Sequence, residues 1–277
     1  MATRSGPNAP GVAFITGGAR GLGNAVAVSF AKEGARGVVI VDIQNDAALN
    51  EGKTAVEAYG TKCLAIRADV TNEGEVETAI EQAVKEFGRI DYAANFAGVP
   101  GPGIKITDLE LNDYLKTMTV NSTGVFLCTK HQLKQMIKQE ASPGVEEGRI
   151  PQRGSIVNCA SVNSLQSLRG TVGYTASKHA VHGITKTAAL EARQYNIRVN
   201  AVSPGFLLTP MVAEKMIHKQ SGEKNEVWKT FEGRQGRAAT VDEVGDVVVL
   251  LSLPRMSLVN GQNLFIDGGF TINEANF

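Results

Sequence analysis

The chain has 277 residues, of which 43% are hydrophobic, and its 28 Lys plus Arg balance its 28 Asp plus Glu. That size closes a core without disulfide or metal staples, and zero net charge with no basic block argues against a nucleic-acid partner. No apolar run reaches the roughly 18 residues that cross a membrane.

Apolar runs alternate with amphipathic stretches along the chain. Strands are expected at 12–16, 37–42, 62–68, 92–95, 155–158, 198–202 and 263–267, and helices at 21–33, 46–59, 72–87, 108–139, 173–195 and 241–251. This alternation implies an α/β fold, a Rossmann-type doubly wound parallel sheet with helices on both faces, in a single domain over residues 1–277. Ligands of such sheets sit beyond the carboxyl ends of the strands.

The first strand runs into Thr16-Gly17-Gly18-Ala19-Arg20-Gly21-Leu22-Gly23 and then a helix. Strand, glycine turn and helix N-terminus together suit a pyrophosphate. Gly17 serves the turn, Gly21 the close approach and Gly23 the helix–strand packing. Asp42 ends the second strand, nineteen residues past Gly23, where a carboxylate binds ribose hydroxyls and repels a 2′-phosphate. The competing reading is a surface Asp that caps the next helix. Turn and acid together favour NAD. Arg20 keeps NADP as the lesser possibility.

Two segments break the rhythm. Residues 140–153 read as an exposed loop, and 206–233 as a substrate-binding lid or an ordinary surface helix pair. Residues 1–10 are short and polar, a flexible N-terminus without a signal-peptide core, and residues 274–277 carry no lipidation or organelle address. Cys63, Cys128 and Cys159 are odd in number and set in apolar surroundings, so they read as reduced, buried thiols of a cytoplasmic protein. The histidines have no metal-ligand spacing, and no metal is expected.

Tyr174 and Lys178 are four apart on an expected helix and share a face. A free Tyr titrates near about 10, and an ammonium within roughly 4–6 Å favours the phenolate, making Tyr174 a usable general acid/base. Such a pair alone is common and usually inert. Ser161 follows the fifth strand and can hydrogen-bond a substrate oxygen. Asn121 lies amid apolar residues in the 108–139 helix, where a buried amide needs partners and distorts the helix. Taken singly, each is more often a structural residue.

Together these residues resemble the classical short-chain dehydrogenases/reductases, from about residue 11 to 269. The family's Thr-Gly-x-x-x-Gly-x-Gly pattern falls on Thr16, Gly17, Gly21 and Gly23, and its Asn-Ser-Tyr-Lys tetrad on Asn121, Ser161, Tyr174 and Lys178. Asp69-Val70 matches its adenine contact. Asn95-Phe96-Ala97-Gly98 matches its Asn-Asn-Ala-Gly motif with Phe96 in place of the second Asn. Pro204-Gly205, with Thr209, matches its nicotinamide-side turn, and Gly261-Gln262 and Asp267-Gly268-Gly269 match its C-terminal motif.

The resemblance implies an NAD(H)-dependent oxidoreductase that interconverts a secondary alcohol and a ketone. Leu22, Ile43, Asn95, Ala97 and Gly98 join the residues above around the coenzyme, with Asn121, Tyr174 and Lys178 shared between coenzyme and catalysis. Val162, Phe206, Met211 and Trp228 are the expected substrate contacts, and their apolar character points to a hydrophobic or cyclic substrate. A homo-oligomer, tetramer or dimer, is implied. The alternatives are a non-redox step on the same fold and a non-catalytic NAD sensor. The intact tetrad weighs against both.

Overall fold

A computed structural model describes residues 8–142, 150–207, 209 and 225–273. Its strands are β1 (Val12–Thr16), β2 (Gly37–Asp42), β3 (Lys62–Arg67), β4 (Tyr92–Asn95), β5 (Gly154–Cys159), β6 (Ile197–Pro204) and β7 (Asn263–Ile266). They form one parallel sheet in the order β3-β2-β1-β4-β5-β6-β7. β1 is buried along its whole length, which explains why it reads as an apolar run rather than an alternating one, whereas β6, equally buried, carries Arg198, Asn200 and Ser203, each hydrogen-bonded.

The helices are α1 (Gly21–Lys32), α2 (Asp46–Glu57), α3 (Glu73–Phe87), α4 (Leu111–Met118), α5 (Gly124–Lys138), α6 (Val172–Ala192), α7 (Glu226–Gln235) and α8 (Val241–Ser252). Alternate β1 side chains feed two cores. Ala13 and Ile15 join Phe30 of α1 and Val248 of α8, while Val12 and Phe14 join Phe87 of α3 and Met136 of α5. Strand order reverses between β1 and β4, so the crevice at their carboxyl ends is the topological switch point where ligands of this architecture bind.

The expected 108–139 helix starts at Leu111 and is interrupted by a π turn at Thr119–Thr123, where the Gly124 N–H reaches back to the Thr119 carbonyl. Asn121 sits inside that turn and is fully buried. The amide needs partners off the helix, and the widened turn lets it reach them.

Two further expectations change. Ala9 is 0% exposed and its N–H donates to the Glu33 carbonyl at 3.0 Å, so residues 8–10 are tied to the end of α1 rather than loose. In the 140–153 segment, the Ser142 N–H donates to the Gln152 carbonyl and the buried Gln152 amide reaches Ser252. Both ends of that loop are pinned, while Ile150 is exposed. Residues 1–7 and 143–149 lie outside the described residues, as do 208 and 210–224 of the expected lid. α7 occupies the lid's far end, started by the Asn225 side chain accepting from the Trp228 N–H.

Cys63 and Cys128 are buried free thiols, and burial pushes each up to about 12. Among the described residues no cluster of His, Cys, Asp and Glu has the makings of a metal site, and no helix is long and apolar enough to cross a membrane.

Candidate active site

The glycine turn folds as its composition requires. Gly17 and Gly21 adopt φ of 69° and 61°, the left-handed region open to glycine. A Cβ on Gly23 would run into the Gly17 carbonyl, whereas one on Gly21 would meet nothing within 4 Å, so the turn is open on one side only. Arg20 precedes α1 with an extended backbone and no side-chain capping bond, leaving the first N–H groups of α1 uncapped by a side chain. Bare helix N–H groups beside an open glycine suit an anionic diphosphate. The Asn24 amide locks the turn by donating to the carbonyls of Gly18 (2.9 Å) and Gly52 (3.1 Å), which joins it to α2.

Asp42 leans over the same turn, Oδ2 accepting from the Ala19 N–H at 3.1 Å and Oδ1 from the Gln44 N–H at 3.2 Å. It therefore borders the glycine turn instead of capping α2, whose cap is Asn45. Ile43 beside it is 56% exposed. Asp69 turns its carboxylate back onto the Thr71 N–H and hydroxyl, while Val70 is buried against Gly124 of α5. Leu22 is half-buried against the core, and Ala97 and Gly98 follow β4, the Ala97 N–H facing the Thr16 hydroxyl at 3.4 Å.

The Asn121 amide grips this post-β4 loop. Oδ1 accepts from the Val99 N–H at 2.8 Å, and Nδ2 donates to the Val99 carbonyl at 2.9 Å and to the Ser177 hydroxyl at 3.2 Å. Ser177 in turn donates to the Tyr174 carbonyl at 2.7 Å. One face of α6 thus carries Tyr174, Ser177 and Lys178. The Lys178 ammonium stands 5.4 Å from the centre of the Tyr174 ring and donates to the Cys159 carbonyl at 2.7 Å. Cys159 ends β5 two residues before Ser161, so the tetrad residues of α6 and the β5 end meet. Burial raises the Cys159 thiol, and the Lys178 charge offsets part of that rise.

The family model adh_short_C2, described as enoyl-(acyl carrier protein) reductase, matches residues 17–271. The chain belongs to the short-chain dehydrogenases/reductases. It is 38% identical over 271 residues to "Short-chain dehydrogenase anuF" of Penicillium roqueforti (strain FM164), covering 95% of this chain and 96% of that one. It is 35% identical over 262 residues to "Borneol dehydrogenase, mitochondrial" of Lavandula x intermedia, covering 94% and 90%. Among solved structures, levodione reductase superposes with a TM-score of 0.85 at 33% identity, covering 94% of this chain and 97% of the other.

Within this short-chain dehydrogenase frame, the Asn95 side chain has a structural task. It turns inward and is buried, exchanging hydrogen bonds with Gln132 at 2.8 and 2.9 Å and donating to Asn158 Oδ1 at 2.9 Å. Thr129 and Thr185 complete this polar knot between the sheet and α5 and α6. Buried amides must be paired, and here they are paired with each other. Gln132 and Asn158 escaped the sequence reading because nothing local marks them. Phe96 packs against the core.

Pro204 ends β6 and Gly205 follows it, and a Cβ on Gly205 would collide with the Gln235 amide. Gln235 fixes the turn by accepting from the Phe206 N–H at 2.7 Å and donating to the Phe206 carbonyl at 3.0 Å. Phe206 stacks on Phe231 of α7, with ring centres 4.0 Å apart, and leans on Phe270 at 4.9 Å. Phe270 is an aromatic partner that the sequence reading missed. The Thr209 N–H donates to the Leu207 carbonyl at 2.9 Å. Val162 and Trp228 are buried, Trp228 at 0% exposure with its indole N–H lacking a partner among the described residues. Met211 lies outside the described residues.

Proposed function

We propose that the chain is an NAD(H)-dependent dehydrogenase that interconverts a secondary alcohol and a ketone on a hydrophobic or cyclic substrate. The observation that carries this reading is the buried Lys178 ammonium, 5% exposed, held between the Tyr174 ring and the Cys159 carbonyl at the strand end that leads to Ser161. A cation fixed there sets a positive charge beside the Tyr174 ring, the kind of fixed charge that an acid/base site of this type uses.

Gly17, Arg20, Gly21, Leu22 and Gly23 would hold the diphosphate of the coenzyme, Asp42 and Ile43 its adenosine ribose, and Asp69 and Val70 the adenine. Ala97 and Gly98, with the main chain of Asn95, would line the adenosine and ribose side, and Pro204, Gly205 and Thr209 the nicotinamide half. When bound, the nicotinamide supplies the hydride acceptor for oxidation and the donor for reduction. Tyr174 Oη takes the alcohol proton in one direction and returns it in the other. The Ser161 hydroxyl donates to the substrate oxygen. The Asn121 side chain holds Val99 and Ser177, so it supports a proton-relay water through the main chain of the π turn.

The Phe206–Phe231–Phe270 cluster favours a hydrophobic or cyclic substrate. The relatives named borneol dehydrogenase and levodione reductase lend the same direction support. Exposed apolar side chains of α5 and α6, Phe126 and Leu190, favour a homo-oligomer, which light scattering on the purified protein tests.

The deciding experiment follows reduced-coenzyme absorbance, with NAD and NADP over cyclic terpene alcohols and polyols, and with NADH and NADPH over cyclic diketones. Turnover with NAD on cyclic alcohols is expected. No coenzyme change with any pair, or clear preference for NADP, overturns the reading.

A further inference from the structure

We propose that Asn163 is a positioning residue that aims the Ser161 hydroxyl and sets its spacing from Tyr174, a proposal that rests on the dehydrogenase reading above. Asn163 is 4% exposed and spans the two halves of the reacting site. Its main-chain N–H donates to Ser161 Oγ at 3.2 Å. Its amide Nδ2 donates to Thr175 Oγ1 at 3.1 Å and to Thr171 Oγ1 at 3.3 Å. Thr175 is the neighbour of Tyr174 in the first turn of α6, and Thr171 immediately precedes that helix.

The direction of these bonds matters. A serine oxygen that accepts an N–H turns its own hydrogen elsewhere, toward the oxygen it is to bind. The Thr171 hydroxyl gives its proton to the Leu168 carbonyl at 2.7 Å, so toward Asn163 it is an acceptor only. An amide with two protons to give fits this site, whereas a carboxylate has none. The loop between Ser161 and α6 exposes Leu165, Ser167 and Arg169, so its outer edge has little packing to hold it. The Asn163 bridge is the cross-tie that keeps Ser161 in register with the helix carrying Tyr174.

The test compares wild type, Asn163→Ala, Ser161→Ala and the double variant, with kcat and KM for the best ketone of the panel, NADH affinity by fluorescence, and melting temperature. Asn163→Ala is expected to lower kcat about 10- to 100-fold, as a misaimed group does, with NADH affinity within about two-fold of wild type. In the Ser161→Ala background the same change should have no further effect on kcat, since both act on one hydroxyl. Wild-type kcat in Asn163→Ala, or losses that multiply in the double variant, overturns the proposal. If Asn163→Ala does not fold, Thr175→Val removes one bridge acceptor without changing shape. It should then lower kcat about 3- to 10-fold, and an unchanged kcat overturns the proposal. A fully active Ser161→Ala or Tyr174→Phe enzyme brings down the dehydrogenase reading itself, and the proposal with it. A failure confined to Asn163 leaves that reading standing.

Discussion

The Lys178 ammonium lies 5.4 Å from the centre of the Tyr174 ring, one helical turn along α6, while its own hydrogen bond goes to the Cys159 carbonyl. The carbonyl fixes the cation without neutralising it. Tyr174→Phe keeps the ring and removes the titrating oxygen. Turnover should fall on the order of 100- to 10,000-fold, with NADH binding, followed by fluorescence titration, largely intact.

Asp42 faces the glycine turn through the Ala19 N–H. Asp42→Ala removes the carboxylate that a 2′-phosphate would meet and leaves the exposed Arg20 nearby. The ratio of kcat/KM for NADP over NAD should rise at least about ten-fold, a shift of about 1.4 kcal/mol. An unchanged ratio would show that Asp42 does not read the ribose.

Gly23→Ala drives a methyl into the Gly17 carbonyl, and no side-chain rotation relieves a clash with main chain. Stability should drop by about 1–3 kcal/mol, seen as a lower denaturation midpoint, and coenzyme affinity should fall with it because the turn must open. Gly21→Ala is a control for space alone, since nothing lies within 4 Å of its Cβ position, although its φ of 61° still disfavours alanine.

Asn95→Ala leaves Gln132 and Asn158 facing an empty position. Leaving a buried polar group unsatisfied costs about 1–3 kcal/mol, so urea denaturation should shift strongly. Coenzyme affinity per folded molecule should hold, which separates a structural Asn95 from a coenzyme contact.

Burial pushes Cys63 and Cys128 up to about 12, far above assay pH, so both stay protonated thiols in the native protein. A disulfide exchange reagent at neutral pH should label them slowly, at the rate of unfolding, and label them at once in denaturant.

The strands were legible because a parallel sheet covered on both faces demands continuous β-rich runs such as Val38-Val39-Ile40-Val41. The closeness of Tyr174 and Lys178 was legible from their spacing of four on a helix. What stayed hidden depends on contacts far apart in sequence. Asn95 reads as a motif residue, yet its partners lie 37 and 63 positions away. Phe231 and Phe270 meet Phe206 only after β6, α7 and the chain end have come together. The interruption of the 108–139 helix was legible in part, because a buried Asn121 amid apolar neighbours implies a distortion, but its form as a π turn was not.

The π turn at Thr119–Thr123 also bears on how this chain can vary. Each helical residue advances the side-chain direction by about 100°. A π turn takes up one residue more than a regular helical turn, so deleting one residue there would let α4 and α5 join as a regular helix with the downstream side chains on nearly their present faces. Gln132 and Met136 would still face the sheet, whereas Asn121 would lose the widened turn from which it reaches Val99 and Ser177. A chain shortened there by one residue should therefore keep its fold and lose its hold on the loop after β4.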